Sequence, residues 1–140
     1  MFANLARHCR QFVALAFVGL ATSVSPAVAD SNAPTVLEAR VSKVLDGDTF
    51  TLSGHSRRIR VWGLDAPEWN HRGGSAATAA MRSLISGKTL QCRVHDTDRY
   101  GRYVGQCFLP DGRDIAAEMI RQGVATEYCR FSRGYYGTCR

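Results

Sequence analysis

No two cysteines of this sequence stand at C-x-x-C spacing, and His55, His71 and His95 are scattered, which argues against a zinc centre. Phe12 to Leu20, FVALAFVGL, is apolar but falls short of the roughly 20 residues that a membrane-spanning helix needs. There is no internal repeat and no low-complexity tract, so solenoid and disordered classes are set aside. Acidic residues are in deficit, with 12 Asp and Glu against 18 Lys and Arg, a net charge of +6.

What is present at the N-terminus has a direction. Arg7, His8 and Arg10 precede the apolar run, and Ala27-Val28-Ala29 follows it as an A-x-A pattern before Asp30. This is the pattern of a secretory signal peptide cut after Ala29. Residues 1–29 are therefore expected to be removed, leaving a periplasmic or secreted chain with no membrane attachment. Cys9 lies before the apolar run, so it is no lipoprotein attachment site. With Arg7 and Arg10 removed, the charge is 16 − 12 = +4. A basic surface favours acidic partners such as nucleic acid or anionic polysaccharide.

Cys92, Cys107, Cys129 and Cys139 remain, an even number in a chain expected to be exported, which points to disulfides. Three pairings are possible. The favoured one is Cys129–Cys139 in the tail with Cys92–Cys107 across a hairpin. Two reduced, packed cysteines at 92 and 107 are the alternative there.

Thr35 to Leu45, Thr49 to Leu52 and Arg58 to Trp62 read as three strands from their alternating apolar residues. Ser75 is the expected N-cap of a helix over Ala76–Ser86, with Met81, Leu84 and Ile85 on its core face. Thr89–His95 and Arg102–Leu109 form a second hairpin, and Asp114 caps a helix over Ile115–Gln122. The order predicts a β-rich α+β chain, a five-stranded barrel of the OB type with two to three short helices. The expected organisation is a leader at 30–34, a barrel domain at 35–128 and a cysteine-closed tail at 129–140.

Val44 to Phe50, VLDGDTF, sets the chemical question. Asp46-Gly47 alone makes a turn, so Asp48 needs another reason. Asp65-Ala66-Pro67-Glu68 follows the third strand, and the two segments can meet at one sheet edge. Converging carboxylates raise one another's pKa unless a cation neutralises them, and a hard cation such as calcium suits oxygen ligands. Arg60 and Arg102 offer planar forks matched to phosphate oxygens. Carboxylates, a cation and two arginines are the parts of a phosphodiester-hydrolysis site.

Four ordered motifs carry a resemblance: LDGDT (Leu45–Thr49), RIRVWGLDAPE (Arg58–Glu68), TDRYGR (Thr97–Arg102) and MIRQGVATEY (Met119–Tyr128). From Val36 to about Tyr128 the chain resembles the staphylococcal-nuclease (thermonuclease) family. The resemblance implies an OB-fold, calcium-dependent endonuclease that hydrolyses DNA and RNA, expected as a monomer. It implies Asp48, Asp65 and the backbone carbonyl of Ala66 as calcium ligands, with Asp46 in an outer shell. Glu68 is implied as general base or water-orienting residue, and Arg60 and Arg102 as the arginines on the scissile phosphate. Arg99, Tyr100 and Tyr128 resemble substrate-binding residues. The family often has Thr where Ala66 stands, and a main-chain ligand makes that exchange mild. The loop from Trp69 to Gly74 lacks the lysines of the best-known member, and RFSRGYYGTCR replaces the usual C-terminal helix. Its arginines and aromatics suit single-stranded nucleic acid, or the aromatics simply cap the barrel end. The alternative function is a non-catalytic OB module that binds nucleic acid or another polyanion in the cell envelope.

Overall fold

The computed structural model describes residues 35–140; the expected signal peptide and the leader at 30–34 lie outside them. The elements run β1 (Val36–Val44), β2 (Thr49–Leu52), β3 (Ile59–Val61), β4 (Leu64–Asp65), α1 (Gly74–Ile85), β5 (Thr89–Thr97), β6 (Tyr103–Phe108), α2 (Ile115–Arg121), β7 (Thr126–Glu127) and α3 (Cys129–Ser132). Five strands close a barrel in the order β1-β2-β3-β6-β5, and β4 pairs with β7 in a separate two-stranded sheet. The expected OB-type barrel with three short helices is what forms. No helix among the described residues is long and apolar enough to cross a membrane.

The barrel closes because its strands alternate. Phe50, Leu52, Ile59, Val61, Leu90 and Cys107 point inward and are buried. Met81 and Ile85 of α1 and Ile115 and Met119 of α2 plug the same core. Burying a side chain of this size stabilises by about 1.5–3 kcal/mol relative to exposure. Most barrel pairings are antiparallel hairpins, but β3 and β6 run parallel, with Ile59 opposite Tyr103 and Arg60 opposite Val104. That single parallel pairing brings the Arg58–Glu68 segment beside the TDRYGR turn. The motifs that are distant in sequence thus become neighbours at one barrel edge.

Both expected disulfides are present. Cys92 faces Cys107 across the β5–β6 ladder, and Cys129 bonds Cys139 across the tail. Asp114 caps α2 as expected, accepting from the amides of Ala116 and Ala117. The start of α1 differs from expectation. Its N-cap is Gly73 in the left-handed region, with no side-chain cap, and the helix begins at Gly74 rather than after Ser75. The reason is the approach of the DAPE loop: a Cβ on Gly74 would lie 1.8 Å from the Glu68 carbonyl oxygen. Backbone contact displaces the sequence-local cap, and the amides of His71 and Gly74 close the loop by donating hydrogen bonds to the Glu68 and His71 carbonyls.

Candidate active site

The site is built from a turn, a strand and a loop. In the β1–β2 turn, Asp46 Oδ1 accepts the Asp48 amide at 3.0 Å, an Asx turn that fixes the next carboxylate. Gly47 lets this turn sit against the DAPE loop and α1: a Cβ there would lie 2.7 Å from the β-carbons of both Ala66 and Ala77. The close approach allows the Ala66 amide to donate to Asp48 Oδ2 at 3.4 Å. The first Asp of VLDGDTF therefore shapes the turn, and the second faces the site.

Arg60, on β3, reaches across from beneath. One Nη pairs with Asp48 Oδ2 at 2.5 Å and also donates to the Leu64 carbonyl at 3.0 Å; the other lies 3.8 Å from Asp65 Oδ1. A single guanidinium thus spans the two aspartates. The two carboxylate-bearing segments meet at one edge as expected, but through Arg60 rather than by direct convergence of their carboxylates. Among the described residues no three of Asp46, Asp48, Asp65 and Glu68 come within 4.8 Å of one another. Like charges separate when a cationic fork is available to stand between them.

Asp48 is buried, and burial pushes its carboxyl up to about 6; Arg60 pulls against this, Asp46 adds to it, and the Thr49 hydroxyl and Ala66 amide oppose it weakly. One arginine does not fully compensate this buried carboxylate. The donor set nearby is hard oxygen: buried Asp48 and solvent-facing Asp65, with the Ala66 main chain between their segments. Hard oxygen donors of this kind suit a divalent cation such as calcium.

Arg102 follows the turn after β5. Its Nε donates to Asp98 Oδ2 at 2.7 Å, and its amide and that of Tyr100 donate to Asp98 Oδ1. Burial opposes ionisation of Asp98, but these hydrogen bonds win and hold its carboxyl below the ordinary carboxylate range. Held by Nε, Arg102 turns an Nη towards Thr49 Oγ1, 3.5 Å away, while Thr49 donates to Asp48 Oδ1 at 2.8 Å. Thr49 therefore connects the second arginine to the buried aspartate.

Beside this edge lies an open cleft of about 610 Å³, lined by Ser56, Arg57, Arg58, Glu68, Tyr100, Gly101 and Arg102. Glu68 is exposed at the wall of this cleft. The Tyr100 ring lies under the guanidinium of Arg99 at 4.8 Å and that of Arg102 at 5.5 Å. Tyr128 is elsewhere. It follows β7, its amide donating to the Gly63 carbonyl, and its ring meets Phe131 edge-on at 4.8 Å. It is not among the residues that line the cleft.

Sequence reading missed Thr49 and the close-packing role of Gly47, and left Arg102 with either Asp96 or Asp98 as its partner. Thr49 carried a signal in its place within LDGDT. For Asp98 the hairpin offered two partners for Arg102, Asp96 and Asp98, and only backbone geometry selects the second. The acidic and cysteine side chains of Glu127, Cys129 and Cys139 also gather. Because Cys129 and Cys139 are disulfide-bonded, that group is no metal site.

Comparison with known proteins bears on this geometry. A family model described as staphylococcal nuclease homologue matches residues 58–137, which include Arg60, Asp65, Glu68 and Arg102. An "uncharacterized endonuclease" of Escherichia coli O157:H7 is 40% identical over 98 residues, covering 69% of this chain and 64% of the relative. The "probable staphylococcal-like nuclease CAN1" of Oryza sativa subsp. japonica is 34% identical over 106 residues, 76% of this chain and 29% of the relative. The "succinoglycan biosynthesis protein ExoI" of Rhizobium meliloti (strain 1021) is 31% identical over 110 residues, 71% of this chain and 56% of the relative. The chain thus spans less than two thirds of the length of each of these relatives.

Proposed function

The chain belongs to the staphylococcal nuclease homologues, and from that premise we propose that it is an exported, calcium-dependent endonuclease that hydrolyses phosphodiester bonds of DNA and RNA. The observation that carries the reading is Arg60 spanning Asp48 and Asp65, with Glu68 and Arg102 in the adjoining cleft. Export rests on the N-terminal pattern ending at Ala29, and the two disulfides suit an oxidising compartment. The protein acts as a monomer on a nucleic-acid substrate, without membrane attachment once the signal peptide is cut.

Asp48, Asp65 and the Ala66 carbonyl would hold the calcium ion. Bound there, it supplies positive charge beside the phosphoryl oxygens. The remaining work falls to side chains. Glu68, an exposed carboxylate at the cleft wall, orients an attacking water and accepts its proton as the water oxygen bonds to phosphorus; one ester P–O bond breaks and the departing sugar oxygen takes a proton from solvent. Arg102, steadied through Nε by Asp98, presents its remaining N–H groups to the phosphate. Arg60 adds a second guanidinium where negative charge accumulates. Donors fixed before the reaction stabilise the transition state without reorganisation, and losing one typically costs about 10²–10³ in rate.

The test is cleavage of a single-stranded DNA by the folded, oxidised protein in calcium, in chelator, and with Glu68→Gln. Cleavage that needs calcium and falls by orders of magnitude in Glu68→Gln is expected. No cleavage in calcium or other divalent metals, with DNA binding that survives chelation, would replace this reading with that of a non-catalytic binding module.

A further inference from the structure

The cleft beside the carboxylates is lined by two arginines, Arg57 and Arg58, that have no part in the site described above. Three arginines line it, Arg57, Arg58 and Arg102, and Glu68 is the one acidic lining residue. Arg102 is neutralised in place by Asp98. Arg57 and Arg58 make no ion pair with any described residue, and both are exposed.

Their position is set by the barrel. The parallel β3–β6 register pairs Ile59 with Tyr103, and the Tyr103 amide donates to the Arg58 carbonyl at 2.9 Å. Arg58 therefore stands beside Arg102 at the mouth of the two strands. The Arg57 guanidinium lies 5.1 Å from the Tyr103 ring centroid. That contact restrains the side chain by cation–π attraction and leaves its charge without a carboxylate partner. Two exposed arginines without a carboxylate partner, Arg57 held against the Tyr103 ring and Arg58 next to it, line one wall of an open groove and match a chain of phosphates rather than a single anion.

We propose that Arg57 and Arg58 form a second phosphate subsite, which holds the backbone of the nucleic-acid strand beyond the bond being cut. This deepens the nuclease reading and rests on it. The subsite lies on the Glu68 and Arg102 side of the DAPE loop. A substrate that runs through the site engages the extra arginines, and one that ends at the site does not. The enzyme consequently favours internal positions in longer strands.

The experiment compares wild type with Arg57→Gln/Arg58→Gln, using an eight-nucleotide DNA single strand and a dinucleotide. Binding is measured in chelator over a series of salt concentrations, and KM and kcat are measured in calcium. Each lost phosphate contact lowers the salt slope for single strands by about 0.7, so the double variant is expected to lose about 1.4 of slope on the longer strand. Its affinity for that strand falls about tenfold, while dinucleotide binding changes little, and the kinetic loss falls mainly on KM. Arg57→Lys/Arg58→Lys, which keeps both charges, recovers most of the slope, and circular dichroism confirms that both variants fold. An unchanged slope on the longer strand would overturn the proposal, as would an equal loss for the dinucleotide. If wild type binds with the larger slope yet cuts nothing, the subsite stands and the nuclease reading fails. If it cuts and the slopes agree, the reverse holds.

Discussion

Two carboxylates are buried in this protein to almost the same degree, Asp48 at 9% exposure and Glu127 at 7%, and the protein treats them in opposite ways. Burial lifts Asp48 to about 6, from an ordinary 3.8, against one arginine and two weak hydrogen bonds. Burial also works against Glu127, yet its carboxyl is brought down to about 2 by donors from Ser132, the Tyr136 amide, and the amide and hydroxyl of Thr138. Four hydrogen bonds of 2.6 to 3.0 Å saturate Glu127 within its own chain. Four donors from its own chain hold Glu127, whereas Asp48 has one arginine, one hydroxyl and one long amide contact.

The two regions divide the labour accordingly. Glu127 is the clasp of the tail. It gathers residues 132–138, the Cys129–Cys139 disulfide closes the loop, and the Tyr136 hydroxyl donates to Asp114 at the start of α2. Tyr136 also packs over Gly63, whose Cβ would lie 2.9 Å from the ring. The clasp thereby steadies β4 and β7, the two-stranded sheet that carries Asp65 opposite Thr126. Asp48 is held instead by Arg60, the Thr49 hydroxyl and the Ala66 amide, at the edge where the β1–β2 turn meets the DAPE loop.

The contrast can be broken most sharply at the carboxylates themselves. Asp48→Asn is expected to lower calcium-dependent cleavage by roughly a thousandfold, since it removes a charge that positions the phosphoryl chemistry. Glu127→Gln is expected to leave activity within about an order of magnitude while lowering the melting temperature, because a neutral amide keeps fewer of the hydrogen bonds. Steady-state kinetics and a thermal melt on both variants check the pair. Next in size is the tail loop: Cys129→Ser/Cys139→Ser should cost about 2–3 kcal/mol in urea unfolding, the loop-closure expectation for a ring of this length. Gly47→Ala should cost about 1–3 kcal/mol through overpacking against Ala66 and Ala77, with a loss of cleavage as the Asp48 turn moves from the DAPE loop.

The smallest effect is in pH. Glu127 has a folded pKa below its ordinary 4.5, so its contribution to stability is present above about 4.5 and is lost as pH falls towards 2. The melting temperature in chelator should therefore drop across that acidic window, and Glu127→Gln should flatten this part of the curve. An identical acid profile in wild type and variant would show that Glu127 is not the clasp.

The barrel was legible because alternating strands and amphipathic helices are local patterns, and the four motifs marked the edge where chemistry gathers. The two disulfides were legible from hairpin symmetry and tail spacing. What was not legible depended on contacts between distant segments. The cap of α1 moved because Glu68 presses on Gly74, a contact between two loops that helix-capping rules cannot see. Arg60 separating Asp48 from Asp65 required the barrel to set which face of β3 meets the β1–β2 turn. The Glu127 clasp was invisible because its donors come from residues 5 to 11 positions later, in a segment without regular periodicity.

The most direct measurement is calorimetric titration of calcium into the wild-type protein, Asp48→Asn and Glu127→Gln. The account predicts one binding site in wild type, its loss in Asp48→Asn and its retention in Glu127→Gln. Calcium binding by Asp48→Asn with wild-type affinity would contradict it.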